Sequence, residues 1–297
     1  MAASRAVDIV GPTSHFFVSQ RLRLHYVDWG NATRPTLVLV HGNRDHARNW
    51  DWVARALRHD WHVVALDLRG HGDSAWVQGG PYAIADNVLD LSNLIDALGA
   101  SPVTLLGHSL GSSVTVMYAG TYPERVRRLV SIEGLGPPPA LIERMRARPP
   151  HERMQDWIRQ MRDLAGRQPR RYPSLDAAAK RMREENSFLS EEQALHLTVH
   201  GVNRNEDGSY SWKFDNYTRT FAPYRFDVED MRALWKRVTC PVLLVRGADS
   251  GAGDPAEDGR MAEFQDARSI TIRNAGHWVH HDQLDAFLAA LRTFFDE

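Results

Sequence analysis

The feature that most constrains the fold is a series of short, unbroken apolar runs, most of them closing on a glycine or a charged residue. "TLVLVHG" (36–42), "HVVALDLRGHGDS" (62–74), "VTLLGHS" (103–109), "VRRLVSIEG" (126–134) and "CPVLLVRG" (240–247) succeed one another, and "SITIRNAGH" (269–277) completes the series. A strand with one face in water alternates apolar and polar residues. A continuous run needs cover on both faces, which is the condition of a strand inside a parallel sheet. Helical patterns separate the runs. "NWDWVARALRH" has helical spacing, Ile84, Val88, Leu91, Leu94, Ile95 and Leu98 form a stripe stopped by Gly99, and "LGSSVTVMYAGTYP" is a helix ended by Pro123. "FFVSQRLRLHYVDW" (16–29) mixes apolar and polar residues in rough alternation and reads as an antiparallel pair at the start. The expected fold is therefore α/β: a mostly parallel central sheet flanked by helices, with ligands at the carboxyl ends of the strands.

The rhythm breaks between about Gly136 and Trp235. This stretch is polar and helix-like, opens on Pro137-Pro138-Pro139, and contains one turn or hairpin candidate, "DGSYSWKFD" (207–215). The reading is a core built from 1–135 and 236–297, with a helical cap, 136–235, inserted after the strand that ends at Glu133. Over 141–183 there are twelve Lys/Arg against five Asp/Glu. That excess reads first as the solvated face of lid helices, and alternatively as a basic rim attracting anionic substrates.

Composition excludes several classes. A net charge of −1 gives no global attraction to nucleic acid or an anionic membrane. No apolar stretch is long enough to span a bilayer, and the first residues lack the basic start and long apolar run of a secretory signal. The single cysteine, Cys240, allows no intramolecular disulfide. The expectation is a cytoplasmic protein. Nothing in the sequence bears on oligomeric state.

Gly107-His108-Ser109-Leu110-Gly111 is a G-x-S-x-G pentapeptide between an apolar strand and a helix. That context suits a nucleophile elbow, a strained turn that lifts the serine hydroxyl clear at a helix N-terminus. The Leu110 N–H and the helix dipole would stabilise an oxyanion there, and the Asn43 N–H, after the first buried strand, is the second expected donor. His41 reads as a structural residue of that loop. His277, in "NAGHWVHHD" after the last strand, is the expected base. The run His280-His281-Asp282 suggests a metal pair only superficially, because adjacent histidines diverge and no third ligand is evident. They read as surface or packing residues, with no metal.

With these elements in place the chain resembles the α/β-hydrolase superfamily, in its serine-hydrolase-like, carboxylesterase branch. "VHGN", "DLRGHGDS", "GHSLG" and "AGHW" stand in the family's order over essentially the whole chain. The resemblance implies that Asp67 and Arg69 are scaffold, bracing loops by ion pairing. It also implies a triad acid after "VLLVRG", where this sequence has Ser250, with Asp249 one place early and Asp254 later. Some branches carry the acid at the end of the strand after the nucleophile helix, which here is Glu133. Glu133 is the preferred assignment and Asp249 the alternative. Dehalogenases and epoxide hydrolases of the superfamily have aspartate where this chain has Ser109, which argues against their chemistry.

The expected activity is cleavage of a small carboxylic ester through an acyl-enzyme, without a cofactor. Thioesters, lactones and C–C bonds remain alternatives on the same triad, as does a non-catalytic receptor or binding member of the fold. Trp157, Trp212 and Phe221 are candidate substrate-binding residues, alongside other apolar lid residues such as Phe214.

Overall fold

The computed structural model describes residues 11–80, 82–220 and 227–297. Strands β1 (Thr13–Ser19) and β2 (Leu22–Asp28) form the expected antiparallel pair. Gln20 and Arg21 join them with φ of 46° and 70°, the left-handed values of a tight two-residue hairpin. The apolar runs become β3 (Thr36–Val40), β4 (His62–Leu66), β5 (Val103–His108) and β6 (Val126–Ile132). A separate short hairpin, β7 (Val202–Arg204) and β8 (Tyr210–Trp212), precedes β9 (Val242–Gly247) and β10 (Ala267–Ile272). The large sheet has eight strands in the order β1-β2-β4-β3-β5-β6-β9-β10. Its neighbours are parallel except for the β1–β2 and β2–β4 pairs.

The unbroken runs divide their side chains between two apolar layers. Leu37, Leu39, Val63 and Ala65 pack on one face with Val53 and Ala54 of α1 (Asp51–Leu57). Val38, Val40, Val64 and Leu66 pack on the other with Leu91, Leu94 and Ile95 of α2 (Ile84–Ala97) and Val114 and Tyr118 of α3 (Leu110–Thr121). This is the period-two consequence of a strand covered on both sides. Each fully buried aliphatic side chain contributes about 1.5–3 kcal/mol relative to an exposed one.

Between β6 and β9 the chain forms α4 (Pro139–Ala147), α5 (Pro150–Ala165), α6 (Leu175–Glu185), α7 (Glu191–Gly201) and α8 (Val228–Lys236). Several hydrogen bonds tie this insert to the loops around the sheet. His46 Nε2 donates to the Leu197 carbonyl (2.9 Å), Asn43 Nδ2 to the Thr218 carbonyl (3.1 Å), and the Tyr82 hydroxyl to the Asp215 carboxylate (2.7 Å). The boundary read at 235/236 falls inside α8. Trp235 of that helix lies in the core layer with α3, and Gly120 of α3 approaches the Leu234 backbone. Two terminal helices, α9 (Val279–Asp282) and α10 (Leu284–Asp296), follow β10, and Phe287 and Leu291 of α10 close the first apolar layer. No helix among the described residues is long and apolar enough to cross a membrane.

Candidate active site

Ser109 is the single residue between β5 and α3. Its φ of 51° and ψ of −113° lie where a residue with a Cβ is strained. The surroundings hold it there. The Ser109 N–H donates to the Ile132 carbonyl (2.8 Å), and Ser112 Oγ donates to the Gly107 carbonyl (2.5 Å). A Cβ on residue 107 would sit 2.6 Å from the Gly111 backbone, and one on residue 111 would run into the Val40 carbonyl. Glycine at both places is therefore a packing requirement of the turn. The hydroxyl stands at the N-terminus of a 12-residue helix, where the first N–H groups have no intrahelical acceptor.

Glu133 directly follows β6 and also has a positive φ, 49°. Its side chain is 0% exposed, whereas that of His277 is 49% exposed. The buried carboxylate is fully engaged. Oε1 accepts from the Gly247 N–H (2.8 Å), while Oε2 accepts from Ser250 Oγ (2.6 Å) and lies 2.6 Å from His277 Nδ1. With Nδ1 donating to the carboxylate, the neutral ring leaves Nε2 as its acceptor. Ser109 and His277 line one cavity, with no hydrogen bond between them among the described contacts.

The alternative acids lie elsewhere. Asp249 is exposed, and its backbone N–H is held by the Ala275 carbonyl (2.9 Å). Asp254 is 3.0 Å from Arg246, and the Ala256 N–H, with Arg246, holds its carboxyl below the usual range. Ser250, at the position where the family resemblance places the acid, instead donates a hydrogen bond to Glu133. The sequence gives Ser250 no role, although its place at the position of the expected acid is the available signal.

Further histidines shape the site, and His108 lines the cavity with Ser109 and His277. His108 Nε2 donates to the His277 carbonyl (2.9 Å), and burial, with His277 nearby, keeps its ring well below the usual histidine range. The Leu68 N–H donates to His41 Nε2 (3.0 Å), so His41 Nδ1 carries the proton given to the Gly42 carbonyl (2.7 Å). Burial lowers that ring to about 4. The loop carrying Asn43 is thereby fixed, and the Asn43 side chain is held between the Thr218 carbonyl and the His71 ring (both 3.1 Å). His280 stacks on Trp50 (4.5 Å) and reaches Asn49 Oδ1 (2.7 Å), and His281 packs between Trp52 and Trp278. Both are packing residues. Asp67 accepts from the Ala47 and Asp73 N–H groups and from His25, while Arg69 forks onto Asp90 (2.6 and 2.7 Å).

Among the described residues, two clusters have ligand atoms close enough to hold a metal: Asp51–His196–His200 and His25–Asp67–Asp73. Neither donor set is free. Arg48 already places a guanidinium on the Asp51 carboxylate (2.6 Å), and Asp67 is saturated by the donors just named.

The cavity measures about 1400 Å³. Asn43 and Leu110 line it beside Ser109, and Trp212 and Phe214 form part of its far wall. Trp157 is half-buried on α5 and is not among the described residues that line the cavity, and Phe221 lies outside the described residues. Arg44 and Arg219, which sequence reasoning did not single out, also line the cavity.

An eight-stranded, mostly parallel sheet with a strained serine at the β5–α3 turn defines the class as an α/β hydrolase, and this chain belongs to the Alpha/beta hydrolase family, whose model matches residues 37–290. Among its relatives is the sn-1-specific diacylglycerol lipase ABHD11 of Mus musculus, 28% identical over 89% of this chain and 82% of that protein. Esterase Rv0045c of Mycobacterium tuberculosis is 27% identical over 90% of this chain and 85% of its own length. In three dimensions the thioesterase domain from the curacin biosynthetic pathway superposes with a TM-score of 0.82 at 24% identity, covering 95% of this chain and 99% of that domain.

Proposed function

We propose that the protein is a serine hydrolase that cleaves carboxylic esters through an acyl-enzyme on Ser109, with His277 as base and Glu133 as the acid that orients it. The observation that carries this reading is the 2.6 Å contact between His277 Nδ1 and the buried Glu133 carboxylate, on the cavity that also exposes the strained Ser109. Glu133 fixes the tautomer, so His277 Nε2 takes the Ser109 proton as Oγ attacks the ester carbonyl. The Asn43 and Leu110 N–H groups hold the oxyanion of the tetrahedral intermediate. Collapse expels the alcohol, protonated by His277. Water, activated by the same ring, then releases the carboxylic acid and restores Ser109. Esterase and lipase relatives along most of the chain support an ester over other acyl substrates. A cytoplasmic setting fits the single, buried cysteine.

The test is turnover of p-nitrophenyl acetate and butyrate. The wild-type protein hydrolyses them, and Ser109→Ala lowers kcat by at least about 10⁴-fold. Undiminished turnover by Ser109→Ala refutes the reading.

A further inference from the structure

The cavity wall carries more positive charge than the described carboxylates balance. Arg44 comes from the loop after β3, Arg167 from the end of α5, and Arg219 from the turn after β8, and all three line the cavity with Ser109 and His277. The hydrogen bond from Asn43 Nδ2 to the Thr218 carbonyl (3.1 Å) brings together the chain segments that carry Arg44 and Arg219, and the Arg44 charge is felt at Arg219. No carboxylate of the described residues forms an ion pair with Arg44, Arg167 or Arg219. Arg219 lies over the Phe214 ring (5.4 Å), a contact that leaves its charge intact. Among the described residues, three acids line the cavity wall: Glu133 is engaged by His277, Glu185 is bonded to Arg181 (2.5 Å), and Asp227 accepts from the Glu229 N–H (2.9 Å). Burial above all, and then the neighbouring Arg44 and Arg167, lower the Arg219 guanidinium below its usual range, while Glu185 acts in the opposite sense. Arg153 and Arg170 line the same cavity, also without an ion pair among the described residues. Unpaired guanidiniums around one cavity repel one another, and an oxyanion among Arg44, Arg167 and Arg219 relieves that repulsion through charge-assisted, forked hydrogen bonds.

We infer that the substrate is an anionic acyl compound, an ester or its analogue with a terminal carboxylate or phosphate that Arg44, Arg167 and Arg219 hold while Ser109 attacks the acyl carbon. The inference rests on the serine-hydrolase reading and narrows it. The cavity is large enough for the acyl group and the charged end together. The anion serves as a handle remote from the reacting bond, so its binding energy positions the carbonyl against Ser109.

The experiment compares p-nitrophenyl butyrate with the p-nitrophenyl monoester of succinate, which have equal acyl length and differ in a terminal carboxylate. At low salt, kcat/KM for the succinyl ester exceeds that for the butyryl ester by at least about tenfold, the value of one charged hydrogen bond. Added sodium chloride lowers that ratio. Arg44→Gln combined with Arg219→Gln brings it to near one, and Arg219→Lys retains more of it than Arg219→Gln. Inhibition of butyrate hydrolysis by free succinate and by inorganic phosphate distinguishes a carboxylate site from a phosphate site. A ratio near one in the wild-type protein, with butyrate hydrolysis lost in Ser109→Ala, overturns the anion inference and leaves the ester-hydrolase reading standing. If neither ester is cleaved, that reading falls, and calorimetric titration of succinate and phosphate decides the inference. Binding of either that is lost in the double variant supports it, and no binding to the wild-type protein overturns it.

Discussion

Glu133 takes three hydrogen bonds, and each constrains a different part of the proposed chemistry. The Gly247 N–H and the Ser250 hydroxyl lock the carboxylate, so its remaining direction points at His277 Nδ1. A glutamine at this position keeps the shape but can present its amide N–H₂ to the ring. That forces the proton onto Nε2, the nitrogen that must accept from Ser109. Glu133→Gln is therefore expected to lower kcat by about 10⁴-fold with little change in KM, as loss of the correct tautomer does in a triad. Ser250→Ala, which removes one of the two locks, lowers kcat by roughly tenfold. Asp249→Asn leaves kcat close to wild type, because Asp249 is exposed and holds only a backbone contact. Steady-state kinetics of the three variants checks the ranking, and a larger loss in Asp249→Asn than in Glu133→Gln would move the acid to Asp249.

At the scale of elements, position is set by the ends of strands. β5, β6 and β10 deliver Ser109, Glu133 and His277 into one region because parallel strands put their carboxyl ends on the same edge. The insert is registered on that edge by a few polar ties. Asp215 accepts from Tyr82 and from the Tyr217 N–H, and its own N–H donates to the Gly70 carbonyl. Asp215→Ala leaves the largely buried Tyr82 hydroxyl without its acceptor and is expected to cost about 1–3 kcal/mol, read as a lower urea midpoint. An unchanged midpoint would mean that the tie carries no stability. The strands of the large sheet are legible in the sequence because an unbroken apolar run has few ways to be covered. Ser109 and His277 are legible because each sits at the end of such a run. The end of the insert is less so, since the apolar stripe of α8 reads the same whether it faces lid helices or α3. The approach of the segments that carry Arg44 and Arg219 is not legible at all. It arises from a contact between residues 175 apart, Asn43 and Thr218, and no local pattern links them.

For the whole molecule, the buried histidines set the dependence of stability on pH. Burial lowers His41 to about 4 and both His71 and His281 to about 3, against an ordinary value of 6.5. Burial also lowers His46, His108 and His280. These rings stay neutral in the fold, while the unfolded chain protonates them below 6.5. Folding thus excludes protons, and stability falls as pH drops from about 6.5 toward 4. Asp45, which burial raises to about 8, and Asp282, raised to about 6, act in the opposite sense, because the fold binds protons that the unfolded chain releases above 3.8. The histidines outnumber them. Each group that titrates fully in only one state contributes about 1.4 kcal/mol per pH unit. Urea unfolding at pH 7 and pH 5 is expected to give a clearly lower midpoint at pH 5. Equal midpoints would mean that the carboxyls offset the histidines.

The central claim is that acyl transfer passes through Ser109. Its most direct measurement is rapid quenching of p-nitrophenyl butyrate turnover, followed by intact-mass analysis and peptide mapping of wild type, Glu133→Gln and Ser109→Ala. The account predicts a butyryl adduct on the peptide containing Ser109, more persistent in Glu133→Gln because the step that activates water is slowed, and absent from Ser109→Ala. Undiminished hydrolysis in Ser109→Ala, or a butyryl adduct mapped to another residue, would contradict it.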